Sequence, residues 1–283
     1  MNLNPKTIQI FLPGGEARGI RVAEITTRIV QVIEIPRSLL SDFLKMPESE
    51  QVAVYFLVGD SEESATKAVY VGQTGDLRTR LSAHHKEKDF WDRALVLISR
   101  TNSLTQTHAL FLEWHCLQFV KKAARYLDQN NNNGSKPHTP APLAADCLEI
   151  FETGEVLLAT LGYPLFESVA RLSGSAKTDE IFYCTASDAK GRGLYTPEGF
   201  VVLKGSTGRK ECVPSFVGTS WHRLRLQLVK DGVIRENGDQ IFFERDYLFK
   251  TPSMAAAFVM ARSANGWTSW KNEAGKTLDS VYR

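Results

Sequence analysis

Five residues between Tyr55 and Glu113 carry side chains that can do chemistry. Tyr55 and Tyr70 each lie in a short apolar run. Arg80 and His84 follow four positions apart, and Glu113 stands among Ala109, Cys116, Leu117 and Val120. A phenol can hold or pass a proton, a guanidinium is a fixed positive charge, and an imidazole titrates near neutrality. A carboxylate on an apolar helical stripe is costly unless it is paired or binds a metal. The set therefore holds two phenols, a cation, a titratable ring and a carboxylate that calls for a counter-charge.

The elements that must position these groups are legible. Val52–Val58 is β-branched and aromatic, with the Gly59-Asp60 turn signal behind it; Val69–Gly72 is a second apolar run closed by Gly72 and Gly75. Both read as strands, joined by the polar loop Asp60–Ser64, so each strand delivers one tyrosine to a shared edge. Asp76 is a suitable N-cap for a helix through Leu77, Leu81 and His84. Leu77 and Leu81 face inward on it, while Arg80 and His84 form an i,i+4 pair on a neighbouring face. A longer helix begins near Thr105 and carries Glu113.

The ordered set Ala53-Val54-Tyr55, Tyr70-Val71-Gly72, Arg80, His84 and Glu113 resembles the GIY-YIG nuclease family, whose arginine lies ten residues after its second tyrosine, as Arg80 does. The resemblance implies a metal-dependent endonuclease. Hydrolysing a phosphodiester needs an activated water, a counter-charge at phosphorus and help for the leaving oxygen. It implies Glu113 as the ligand of Mg²⁺ (or Mn²⁺) and Arg80 as the phosphate-facing cation. Tyr70, with Tyr55 as partner, belongs to the general-base network, and His84 assists it. Gly72 and Gln73 then lie on the substrate side. Many family members carry a lysine where this chain has Gln73, and Lys67 or Lys86 are the candidate substitutes. An asparagine after the glutamate helix supports the site in several members, and Asn130, first of four adjacent asparagines, matches it.

Composition frames the rest. With 283 residues, 43% hydrophobic and 23% charged, the chain is long enough for two or three domains. It has no apolar run near the ~20 residues of a membrane span and no signal-peptide core, so a cytoplasmic protein is expected. Cys116, Cys147, Cys184 and Cys212 include no C-x-x-C pair, which indicates neither a zinc site nor a disulfide framework. The net charge of +2 makes any basic footprint local.

The expected fold class is α+β. Residues 1–46 form a β-rich extension, either pairing with the next sheet or standing apart as a flap. Residues 47–172 form the GIY-YIG-like domain, a small antiparallel sheet flanked by helices, with Arg125–Gln129 and the asparagines as a loop and Ala144–Leu161 as a further helix. Residues 173–180 read as a linker, and 181–283 as a second small α+β domain.

This last stretch resembles the module appended to some restriction enzymes, adenine methylases and GIY-YIG proteins. The carrying residues are Gly199–Ser206, Ser253–Ala257 and Ser263–Trp267 with Trp270. The resemblance implies nucleic-acid or modified-base recognition. Lys204, Arg209, Lys210, Arg223, Arg225 and Lys230 are candidate phosphate contacts, and Trp267 or Trp270 a stacking platform. The expected function is DNA cleavage targeted by this module, in bacterial defence, repair or mobile-element biology. The alternatives are a non-cleaving nucleic-acid-binding protein on the same scaffold and an RNA-directed nuclease. DNA is the expected partner, with RNA as an alternative, no membrane, and a homodimer compatible with cutting both strands.

Overall fold

In the computed structural model, which describes residues 5–61, 66–131, 134–170, 180–186, 189–214 and 217–283, the β-branched runs of the first part of the chain assemble into one sheet. Its strands are β1 (Ile8–Phe11), β2 (Arg21–Ile25), β3 (Val30–Pro36), β4 (Ala53–Gly59), β5 (Ala68–Thr74), β6 (Arg93–Ser99) and β7 (Leu127–Asp128), in the order β1-β2-β3-β6-β4-β5-β7. All neighbours are antiparallel except β5 and β7, which run parallel. The protein is α+β, and the sheet is larger than the small antiparallel one expected. The extension is why: β3 pairs along its whole length with β6, so the strands β1–β3 of the extension join the sheet and do not stand apart as a flap. The central strand β6 is not among the strands expected from sequence. Its run Ala94–Ile98 is apolar without alternation because both of its faces are covered.

The helices α1 (Leu40–Phe43), α2 (Leu77–Glu87), α3 (Gln106–Ala123) and α4 (Ala141–Thr160) divide between the two faces. On one face Val54, Phe56, Val69, Val71 and Leu97 pack with Leu112, Cys116 and Val120 of α3 and Phe151 and Leu157 of α4. On the other, Tyr55, Leu57, Val96 and Ile98 pack with Leu40 and Phe43 of α1, Leu77 and Leu81 of α2, and Trp91. Asp76 caps α2 as its sequence position suggests, accepting the Thr79 N–H at 3.1 Å. Thr105 and His108 satisfy each other's backbone groups at the start of α3, and Ala124, at φ 49°, closes it.

These elements make up one unit, Met1–Ser168; a second spans Val169–Arg283. The second unit holds β8 (Ile181–Ala186), β9 (Ala189–Thr196), β10 (Gly199–Val202), β11 (Thr207–Arg209), α5 (Ser220–Lys230), β12 (Ile234–Asn237), β13 (Gln240–Phe243), β14 (Tyr247–Phe249), α6 (Pro252–Met260), α7 (Gly266–Ser269) and α8 (Leu278–Tyr282). Its strands form two sheets, β14-β10-β9-β8 and β11-β13-β12. The core runs through α6, whose Ala255, Ala256, Phe258 and Val259 are fully buried with Phe200, Phe243 and Trp270. The cap of α5 is Thr219 rather than Ser220: its hydroxyl accepts the His222 N–H. Residues 62–64 of the expected hairpin loop, 173–179 of the expected linker, and Asn132 and Asn133 lie outside the described residues.

Candidate active site

The site is built on the outer edge of β5. Along this edge every second residue turns its peptide groups away from β4, and these groups must be satisfied or meet water. The carbonyls of Lys67 and Val69 accept from the N–H groups of Leu127 and Gln129, at 2.8 and 2.9 Å. Where that short parallel pairing stops, the Asn130 side chain takes over. Its Oδ1 accepts the Val71 N–H at 2.9 Å and its Nδ2 donates to the Val71 carbonyl at 2.7 Å, as a further strand residue would. The next outward N–H, that of Gln73, is bound by the Glu113 carboxylate. Within the expected loop only Leu127–Asp128 is strand, as β7; the described residues on either side keep irregular backbone, as expected.

Glu113 reaches this edge from α3, which covers one face of the sheet, while α2 covers the other. The strand end is where side chains from the two helices can meet. Burial pushes the Glu113 carboxyl up from its ordinary value, and the Gln73 N–H and the Arg80 charge pull it part of the way back.

On the α2 side, Tyr55 is fully buried and stands opposite Gly72 in the β4–β5 register. Its ring crosses the space a Gly72 side chain would fill, since a Cβ there would lie 2.4 Å from the Tyr55 hydroxyl. Arg80 Nε–H donates to that hydroxyl at 3.0 Å, and the hydroxyl lies 2.8 Å from His84 Nε2. Burial is the largest influence on Tyr55 and raises its pKa, so it stays protonated. With Arg80 donating to its oxygen, its own proton goes to Nε2. This leaves the His84 proton on Nδ1, which is buried without a partner. Burial, then the charges of Arg80 and Lys88, hold the His84 imidazolium down to about 4, so the ring is neutral near pH 7.

Tyr70 completes the group. Its ring centroid is 6.3 Å from that of Tyr55 and 5.1 Å from that of His84, and its hydroxyl is hydrogen-bonded to Arg80. The structure therefore brings Tyr55, Tyr70, Gly72, Gln73, Arg80, His84, Glu113 and Asn130 to one strand end.

One neighbour was not legible in sequence. The lysine found against Tyr70 is Lys88, with Nζ 4.5 Å from the ring centroid, rather than the expected Lys67 or Lys86. Gln73 keeps its amide on the Gln106 side chain. A lysine just beyond a helix end reads as a solvated cap, and only the turn of the chain after Glu87 sends it back to the sheet.

A metal at this site would have a sparse protein shell: among the described residues no cluster of three His, Cys, Asp or Glu side chains could hold one. A single hard, half-buried carboxylate fits Mg²⁺, which keeps several waters and takes further oxygens from a phosphate substrate. It does not fit a four-ligand zinc site.

The candidates of the second unit are not brought together in this way. Lys204 is exposed in the turn after β10, where its N–H is held by Asp246. Arg223 is exposed on α5. Trp267 packs edge-on against Tyr195, with the Arg283 guanidinium 3.8 Å over its ring. Two expectations are corrected. Trp270 is a core residue, fully buried with its Nε1–H donated to the Pro252 carbonyl at 3.0 Å, so it is no stacking platform. Arg225 is buried, its guanidinium bonded to the Arg209 carbonyl and lying 3.3 Å from Cys212 Sγ, so it does not face phosphates.

A family model described as Domain of unknown function (DUF4357) matches residues 182–282, a stretch falling within the second unit. No curated protein and no solved structure matches the chain.

Proposed function

We propose that the first unit is a GIY-YIG-type endonuclease that hydrolyses DNA phosphodiester bonds with Mg²⁺, and that the second unit directs it to nucleic acid. One observation carries the reading: the phenols of β4 and β5, Arg80 and His84 of α2 and Glu113 of α3, scattered over the sequence, converge on one end of β5, with the two helices on opposite faces of the sheet. A purely structural role for these groups would not account for a half-buried carboxylate among cations and phenols at a sheet edge.

Arg80 offers positive charge to the scissile phosphate while its Nε–H fixes the Tyr55 hydroxyl. Tyr55, protonated and clamped between Arg80 and His84, holds that arrangement rigid. Tyr70, half-buried and therefore within reach of solvent, is the proposed base: its hydroxyl, held by Arg80, first gives its proton to bulk water, and the resulting phenolate then takes the proton of the attacking water. Glu113 is the residue that would hold Mg²⁺, which when bound supplies Lewis-acid help at the phosphate and the leaving oxygen. Neutral His84 receives the Tyr55 hydrogen bond and adds no further positive charge beside Arg80 and Lys88.

The substrate class is tested by incubating supercoiled plasmid, linear duplex, single-stranded DNA and RNA with Mg²⁺ and wild-type protein, Tyr70→Phe or Arg80→Ala. Cutting of DNA that falls roughly 10²- to 10³-fold in each variant, the loss typical of one removed transition-state partner, is the expected result. Cutting confined to RNA would move the reading to an RNA nuclease. No cutting of any substrate would leave a binding protein.

A further inference from the structure

We propose that Lys88 is a second phosphate-binding cation of this cleft, holding the substrate strand against the Tyr70 side of the site. The inference rests on the nucleic-acid reading of that site and names a residue which neither its motif spacing nor any matched family includes.

Lys88 follows the last turn of α2 as its C-cap, its N–H bonded to the His84 carbonyl at 3.0 Å. Its backbone is extended there, with φ −125° and ψ 119°, so the chain leaves the helix axis at this residue. The side chain lies over the face of Tyr70 and is half-buried, unlike its neighbours Lys86 and Glu87, which are exposed. Among the described residues no carboxylate stands within ion-pair distance of it, and the adjacent Asp89 is engaged by Arg37. An ammonium over a ring face uses its charge but not its N–H donors, so it keeps donors for an anion.

The rest of the cleft makes the need plain. Arg80 donates to both phenols, Gln73 is uncharged and held by Gln106, and Glu113 contributes no positive charge. Arg80 keeps further N–H donors for one phosphate, and Lys88, whose ammonium has no carboxylate within ion-pair distance among the described residues, adds a second cation on the Tyr70 side. The competing account makes it a helix C-cap favoured by the dipole, with an incidental ring contact.

Binding separates the two. The full chain carrying Glu113→Gln, which removes cutting, is titrated with a short fluorescein-labelled DNA duplex over a range of salt concentrations, with and without Lys88→Met. A phosphate contact at Lys88 predicts weaker binding by about 3- to 10-fold at low salt and a log–log salt slope shallower by about one, with Lys88→Arg restoring both. Equal slope and affinity, with only a lowered Tm, would overturn the proposal and leave the nuclease reading standing. Lack of duplex binding by Glu113→Gln itself would overturn both. If Lys88→Met does not fold, Lys88→Gln is read the same way.

Discussion

At Gly72 the absent Cβ lets the Tyr55 ring lie across β5, so the glycine is fixed by a neighbour's side chain and not by its own backbone angles. Gly72→Ala drives a methyl into a fully buried phenol that cannot swing clear. It should cost about 1–3 kcal/mol in denaturant unfolding, the usual penalty of overpacking, and it should detach Tyr55 from Arg80 and abolish cutting. His84 gives a second prediction. Its folded-state pKa, about 4, lies below its ordinary value of 6.5. The stability this confers is complete above about pH 6.5 and is lost as pH falls toward 4. Thermal melts over that range should show Tm falling on acidification, and His84→Gln should remove part of the slope. A variant with the unchanged slope would contradict the burial of a neutral ring. The ring's assignment in sequence rested on its i,i+4 spacing from Arg80, which gave the helix face. The orphaned Nδ1 was not legible, because it depends on what packs over it.

The element that matters most is the edge of β5, served in succession by the β7 backbone, the Asn130 amide and the Glu113 carboxylate. Asn130→Ala leaves both peptide groups of Val71 without their partner. It should destabilise the first unit by about 1–3 kcal/mol, read by chemical denaturation, and lower cutting through displacement of Gln73 from Glu113. Asn130→Asp keeps the acceptor but sets a carboxylate against the Val71 carbonyl, so it should not rescue. Strands β4 and β5 and helices α2 and α3 could be read from sequence because each carries a local signal: β-branched residues, Asp76 as a cap, and Glu113 on an apolar stripe. Strand β6 and the pairing of β7 could not. Ala94–Ile98 is the unbroken apolar run of a segment buried on both faces, which periodicity does not assign, and two-residue β7 is defined by its pairing with β5. Lys88 was hidden for the same reason, since its place is set by the chain leaving α2.

For the whole molecule, each of the two units has its own core, and the candidate site residues from Tyr55 to Asn130 all belong to the first. A fragment ending at Ser168 should fold and retain metal-dependent cutting while binding DNA more weakly than the full chain; loss of cutting in a folded fragment would place part of the site in the second unit. The charged surface and Trp267 of that unit were legible as residue types. Burial then removed Arg225 and Trp270, since a tryptophan with a backbone partner for its N–H serves a core as well as a surface. The account as a whole stands on Glu113. Its half-buried carboxylate is held against its preference, so replacing it with an uncharged isostere should leave the fold at least as stable in metal-free buffer, with Tm unchanged or about 2 °C higher. The decisive measurement is Mg²⁺-dependent nicking of supercoiled plasmid by wild type and Glu113→Gln, with Tm recorded for both. Nicking by wild type that vanishes in the folded variant is the predicted result; equal nicking by the two proteins, or none by wild type, would contradict the assignment of this cleft as a nuclease site.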